Sequence, residues 1–197
     1  MKYLKMLGLA AVAAMAFMAF AASASATTLS VDGVTQNASV SLTSSLKSGT
    51  SAILKDEAGT TTDTCTTSSV SGSTASPFSS TWVGGPVSTL TFSNCTHTTT
   101  VIAKGKLYVD WTSKTDGTVK SEGAEITVVS TFFGASAVCK TGAGTNIGTL
   151  TGTSSGSATI DINGIINCGI LGNSTWTGTY TVTSVNGSAG TAVGAES

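Results

Sequence analysis

The chain has 197 residues, with 9 basic side chains against 10 acidic ones. Only 10% of its residues are charged, against about 25% in average domains. Every cation is a lysine, and residues 27–197 keep seven of them against ten acids, a formal charge of −3. That balance excludes the clustered phosphate contacts of a nucleic-acid partner and any strong attraction to anionic lipid.

The first 26 residues read as an export signal. Lys2 and Lys5 precede an uncharged apolar run from Leu7 to Ala22, and Ala24-Ser25-Ala26 supplies the small residues of a cleavage site. A membrane anchor would have a longer apolar core and a basic flank after it. The reading predicts a chain that is secreted, periplasmic or held at the cell surface, with no membrane span once the signal is removed.

From residue 27 onward nearly every segment alternates apolar and polar at period two. Leu29 and Val31 come first, then Val40 and Leu42, and later Leu90 and Phe92. Leu107, Val109 and Trp111 follow, then Ile126 and Val128, Ile160 and Ile162, and Trp176, Gly178, Tyr180 and Val182. This is the signature of half-buried antiparallel strands, with Thr and Ser on the wet face. Asp32-Gly33, Asp116-Gly117, Asn163-Gly164 and Asn186-Gly187 are read as hairpin turns. The apolar-poor run 68–80 is read as a loop or short edge strand, and 187–197 as a frayed end.

Four cysteines in an exported chain imply two disulfides, for which three connectivities exist. The spacings favour Cys65 with Cys95 and Cys139 with Cys168, at separations of 30 and 29. Both brackets close on Asn-Cys. The expected fold is all-β, an antiparallel β-sandwich of Greek-key type, as one elongated domain over 27–197. The alternative is two similar disulfide-clipped units stacked together, about 27–112 and 113–197.

No catalytic frame stands out. His97 is the only histidine, and no nucleophile elbow accompanies it, so a turn histidine is the simpler reading. The carboxylates Asp56, Glu57, Asp63, Asp110, Asp116, Glu122, Glu125 and Asp161 read as solvated surface charge. No pair of cysteines has the C-x-x-C spacing of a zinc site. Gly142 to Gly148 lacks the lysine and helix of a phosphate loop, and Asp161 to Gly164 lacks the ligands of a calcium loop. No cofactor or metal is expected. Trp82, Trp111 and Tyr108 are the candidate ligand-binding aromatics, with Trp111 and Tyr108 on opposite faces of one strand.

The runs Leu90-Thr-Phe-Ser-Asn-Cys-Thr96, Cys139-Lys-Thr-Gly-Ala-Gly-Thr-Asn-Ile-Gly-Thr-Leu-Thr-Gly152 and Trp176-Thr-Gly-Thr-Tyr-Thr-Val-Thr183 resemble a set of secreted bacterial Ser/Thr/Gly-rich, disulfide-containing β proteins. That resemblance brings no established activity. A looser likeness is to chaperone–usher pilins, which share a signal peptide, an alternating N-terminal strand and an intradomain disulfide. This chain departs from them in having four cysteines and a Gly-Ala-Glu-Ser terminus without an aromatic zipper. The expectation is a non-enzymatic structural, adhesive or matrix protein of the bacterial surface. Its partners would be itself or other cell-surface and matrix components, and residues 27–42 are the expected edge for strand addition. The alternative is a binding module for polysaccharide or a small apolar ligand.

Overall fold

In the computed structural model of the protein the described residues are 28–32, 34–36, 38–74, 82–113, 115–129, 136–152, 157–185, 188–189 and 193–196. The export signal expected at 1–26 lies outside them. The first strands are β1 (Thr28–Val31), β2 (Val34–Gln36), β3 (Ser41–Leu46), β4 (Ala52–Lys55), β5 (Thr61–Ser73) and β6 (Trp82–Cys95). Then come β7 (Thr98–Ala103), β8 (Lys106–Trp111), β9 (Asp116–Glu122), β10 (Glu125–Val129) and β11 (Ser136–Lys140). The last are β12 (Thr145–Thr151), β13 (Thr159–Asn167), β14 (Asn173–Val185), β15 (Ser188–Ala189) and β16 (Val193–Glu196). Among the described residues a single 3-10 turn, Gly169–Leu171, interrupts them.

Eight strands close into an antiparallel barrel rather than the expected sandwich. In the order β3-β5-β6-β8-β9-β12-β13-β14 each strand pairs with the next, and β14 returns to β3 from Tyr180↔Leu46 to Val185↔Leu42. Ring neighbours follow chain order, so the path is up-and-down and has no Greek-key crossover. The correction has a simple cause. A one-sided alternation says that one face is buried, and a curled sheet buries its inner face as well as two stacked sheets do.

The ring is closed over only part of its height. Further along, β4 takes over the place of β3 between β14 and β5, with Trp176↔Leu54 and Leu54↔Asp63 in register. On the other side of β13, β12 gives way to β11 through the single pair Lys140↔Asn167, and β10 and β7 follow. Among the described residues no ladder joins β7 back to β6. One end of that seam is the Thr96-His97 connection, and the other is tied by Val87 N–H to Gly105 O at 3.0 Å and Lys104 Nζ to Ser88 O at 2.6 Å.

Both disulfides lie in this split part, and their partners are those the spacing favoured: Cys65–Cys95 and Cys139–Cys168. Cys65 and Cys95 stand directly opposite each other on β5 and β6. Cys139 and Cys168 flank the lone Lys140↔Asn167 pair. The core divides along the same line. Val40, Val83, Val119, Leu150 and Val182 pack inside the closed ring together with Leu29, while Leu54, Val128, Ile166 and the Cys139–Cys168 bridge pack in the split part. Trp176 packs against both groups.

Several local expectations are corrected. Of the run 68–80, residues 68–73 are not a loop but the last part of β5, held between β3 and β6, and 75–80 lie outside the described residues. Asp116-Gly117 starts β9, and the turn precedes it, with Thr112 N–H donating to Asp116 O at 2.8 Å. Asn163-Gly164 lies inside β13, where a Cβ on Gly164 would come within 2.6 Å of Ile147 Cα. The glycine serves a close backbone approach, not a turn. Asn186-Gly187 lies outside the described residues. Of the C-terminal run, the described residues pair rather than fray, β16 on β1 and β15 on β14; the rest lies outside the described residues. Because β1 has β16 on one side and β2 on the other, β1 is the central strand of that small sheet, and β2 and β16 are its edges.

Each disulfide closes a loop of about 30 residues, which corresponds to roughly 3–4 kcal/mol on the chain-entropy account. The double variant Cys139→Ser/Cys168→Ser is therefore expected to lose about that much stability. The loss should be uneven. Native-state hydrogen exchange should speed up in β10 and β11 well before β13 and β14, and a uniform loss of protection would contradict the two-part description.

Candidate functional site

One space among the described residues lies within the closed ring. It is a cavity of about 120 Å³, walled mainly by apolar side chains such as Leu29, Val83, Val109, Leu150 and Val182. A second space of about 50 Å³ continues from it, and the two share Ser44, Val70, Val87, Leu107, Val119 and Ile160. The alternation of β6, β8, β9, β12 and β14 explains the lining, because every second residue of each strand must face inward. Leu29 comes from the three-stranded sheet β16-β1-β2, is 1% exposed and packs on the barrel core.

Two polar groups mark the interior. Tyr180, 2% exposed, donates its hydroxyl to Ser68 Oγ at 2.9 Å. Burial pushes its pKa up to about 12, and the Ser68 hydrogen bond acts weakly the other way. The second is the indole N–H of Trp111, which is buried and has no hydrogen-bond partner. Among the described residues it is the one buried side-chain nitrogen or oxygen in that state.

The three aromatic candidates separate. Trp111 packs against the interior with Leu107 and Val109, whereas Trp82 and Tyr108 lie together on the outer face, ring centroids 5.6 Å apart and tilted by 53°. Trp82 is 36% exposed. Beside this pair Lys120 donates to Asp110 across β8 and β9. The hydrogen bond to Asp110, and then its charge, raise the Lys120 pKa above the usual lysine value.

His97 sits in the turn between β6 and β7, its Nδ1 3.8 Å from Asp63 Oδ1. Asp63 is not the solvated carboxylate its sequence context implies, for it is 3% exposed. Its Oδ1 accepts from Thr64 N–H at 2.9 Å, Thr96 Oγ1 at 2.8 Å and His97 N–H at 3.0 Å, and Oδ2 accepts from Thr99 Oγ1. Donors this numerous repay the burial of one charge. Their effect is to bind β5 to the β6–β7 turn. Asp63, Cys65 and Cys95 also place ligand-type atoms within 4.8 Å of one another. Both sulfurs are consumed by the disulfide, so no thiolate is present to hold a metal.

Sequence reasoning pointed to Trp111 but missed the cavity it lines, and it missed the Tyr180–Ser68 pair. The inward alternation carries the only signal for either, and it says nothing about how completely the interior is filled. No protein-family model, curated protein or solved structure matches the chain.

Folding favours the protonated phenol of Tyr180, so its contribution is complete below pH 10 and is lost as pH rises from 10 to 12. Two pH units correspond to about 3 kcal/mol. Urea unfolding of the oxidised protein should therefore show stability falling over that window. Tyr180→Phe should remove most of the slope, leaving the part that comes from Lys120. An unchanged slope in the variant would contradict the buried placement of Tyr180.

Proposed function

We propose that the protein is an exported, non-enzymatic binding module that holds a small apolar molecule inside the barrel. The observation that carries this reading is the cavity of about 120 Å³ within a closed ring whose wall is largely apolar. Eight-stranded barrels have interiors just wide enough to be filled by side chains or to hold one small ligand. Engineered apolar cavities near 150 Å³ stay dry and take up benzene or xenon, so this space suits a ligand of about that size. The two disulfides are compatible with an extracellular or periplasmic location. The outer Trp82–Tyr108 pair is the less favoured place for a ligand, because its rings tilt against each other instead of forming a flat platform.

A second reading keeps the surface-component role and moves its edge. Strand β7 pairs with β10 on one side only, carries no charge from Thr98 to Ala103, and leaves Ile102 60% exposed. An open edge of this kind can accept another strand, including one from a second copy. Sedimentation over a range of concentrations should then show self-association that Ile102→Lys abolishes. A monomer at all concentrations would remove this reading.

The binding reading is tested by titrating the oxidised protein with benzene-sized hydrocarbons while following thermal unfolding. Ligand at about 100 times its Kd should stabilise by about 2.7 kcal/mol. Leu107→Phe, which fills space shared by both cavities, should weaken uptake at least tenfold while the barrel remains folded. No stabilisation by any probe would end the proposal.

A further inference from the structure

Asp63 and His97 stand in register around the Cys65–Cys95 bridge. Cys65 and Cys95 are opposite residues of β5 and β6, and the ladder runs one step further, with Thr96 N–H donating to Thr64 O at 2.9 Å. The next position sets Asp63 across from His97, and the two-residue period of a strand turns all four side chains to one face. The distances agree. Cys65 Sγ is 3.7 Å from Asp63 Oδ2, and His97 Nδ1 is 3.8 Å from Asp63 Oδ1. Ligand atoms around a tetrahedral zinc ion stand about 3.3–3.8 Å apart, given zinc bonds of about 2.0–2.3 Å.

Two sulfurs, an imidazole nitrogen and a carboxylate oxygen form a donor set suited to zinc. Asp63, Cys65 and Cys95 already hold their ligand atoms within 4.8 Å of one another. His97, 22% exposed in the turn, completes the set by a change of rotamer. Asp63 Oδ1 is filled by three donors, whereas Oδ2 takes the Thr99 hydroxyl and faces Cys65 Sγ. The disulfide masks this set, and it is the more accessible of the two bridges. Cys95 is partly exposed, whereas Cys139 and Cys168 are 1% and 0% exposed, so a reductant reaches Cys95 first.

We propose that reduction of Cys65–Cys95 by a dithiol uncovers a zinc site made of Cys65, Cys95, His97 Nδ1 and Asp63 Oδ2. A thiolate of the reductant attacks Cys95 Sγ, a mixed disulfide forms, and Cys65 leaves as a thiolate. The second thiol of the reductant then displaces Cys95. The reductant ends as a disulfide and the protein carries two thiols. Zinc takes both sulfurs as thiolates, and their two protons pass to solvent. A metal bridge between β5 and the β6–β7 turn thereby replaces the covalent one. The site lies apart from the barrel cavity and does not depend on the apolar-ligand reading.

The test treats the oxidised protein with limiting dithiothreitol. Alkylation mapping should find Cys65 and Cys95 free before Cys139 and Cys168. Co²⁺ is the probe. The reduced protein should bind one Co²⁺, with thiolate-to-cobalt charge transfer and the strong visible bands of tetrahedral cobalt, and Zn²⁺ should abolish both. The oxidised protein should show neither. His97→Gln should weaken Zn²⁺ binding at least about tenfold and diminish the tetrahedral bands. Cys65→Ser/Cys95→Ser should bind no metal; if that variant fails to fold, His97→Gln decides, since its side chain sits in a turn. A reduced protein without the cobalt bands, or an unchanged affinity in His97→Gln, would overturn the proposal. So would release of Cys139 and Cys168 first, or loss of the near-UV circular dichroism of the folded chain on reduction.

Discussion

Once β14 pairs with β3, every strand of the ring has two neighbours and the sheet has no edge at that level. The first and last ring strands are far apart in the chain, so this ladder carries a large loop-closure cost and forms late in any folding order that proceeds hairpin by hairpin. Everything inside depends on it. The ladder places Val182 and Tyr180 opposite Val83, Val119 and Leu150 across one interior. An open sheet with the same residues would collapse onto itself and leave no enclosed space.

Below the closed ring the same wall is assembled differently. Breaks in the chain after β3, β6, β9 and β11 let a new set of strands continue the curve, and the continuation stops short of joining β7 to β6. Two devices brace that part. The Cys139–Cys168 bridge stands beside a junction of a single residue pair. The Cys65–Cys95 bridge and the buried Asp63 carboxylate tie β5 to β6 and to the turn that leads into β7. The first bridge thus reinforces a single-pair junction, and the second clasps the end of the continuous β5–β6 ladder. Trp176, packed on both core groups and edge-on to Phe92 with ring centroids 5.7 Å apart, divides the two parts.

The period-two alternation of Leu107, Val109 and Trp111, and of Trp176, Gly178, Tyr180 and Val182, was enough to predict strands with one buried face. The cysteine spacing was enough to choose the disulfide pairing. Closure was not legible, because pairing between β3 and β14 is a relation between distant segments that leaves no local pattern. Gly164 misled for a related reason. Asn-Gly is a turn signal only where nothing crowds the backbone, and the nearness of Ile147 is a tertiary fact. Asp63 looked like any surface acid, since its donors come from Thr64, Thr96, His97 and Thr99, most of them on another strand or turn. The cavity was the least legible feature of all. Which inward side chains fall short of meeting is settled by barrel width, not by their identities.

A barrel that closes around unfilled apolar space gives up dispersion contacts that a fully packed core would make. A ligand that restores those contacts would give the protein a core more complete than its own side chains provide. The claim at the centre of this account is that the space exists within the closed ring. A crystal structure of the oxidised protein under xenon pressure tests it most directly. The account predicts xenon between β6, β8, β12 and β14, in contact with Val83, Val109, Leu150 and Val182. A barrel interior filled by repacked side chains, with xenon absent from it, would contradict the account.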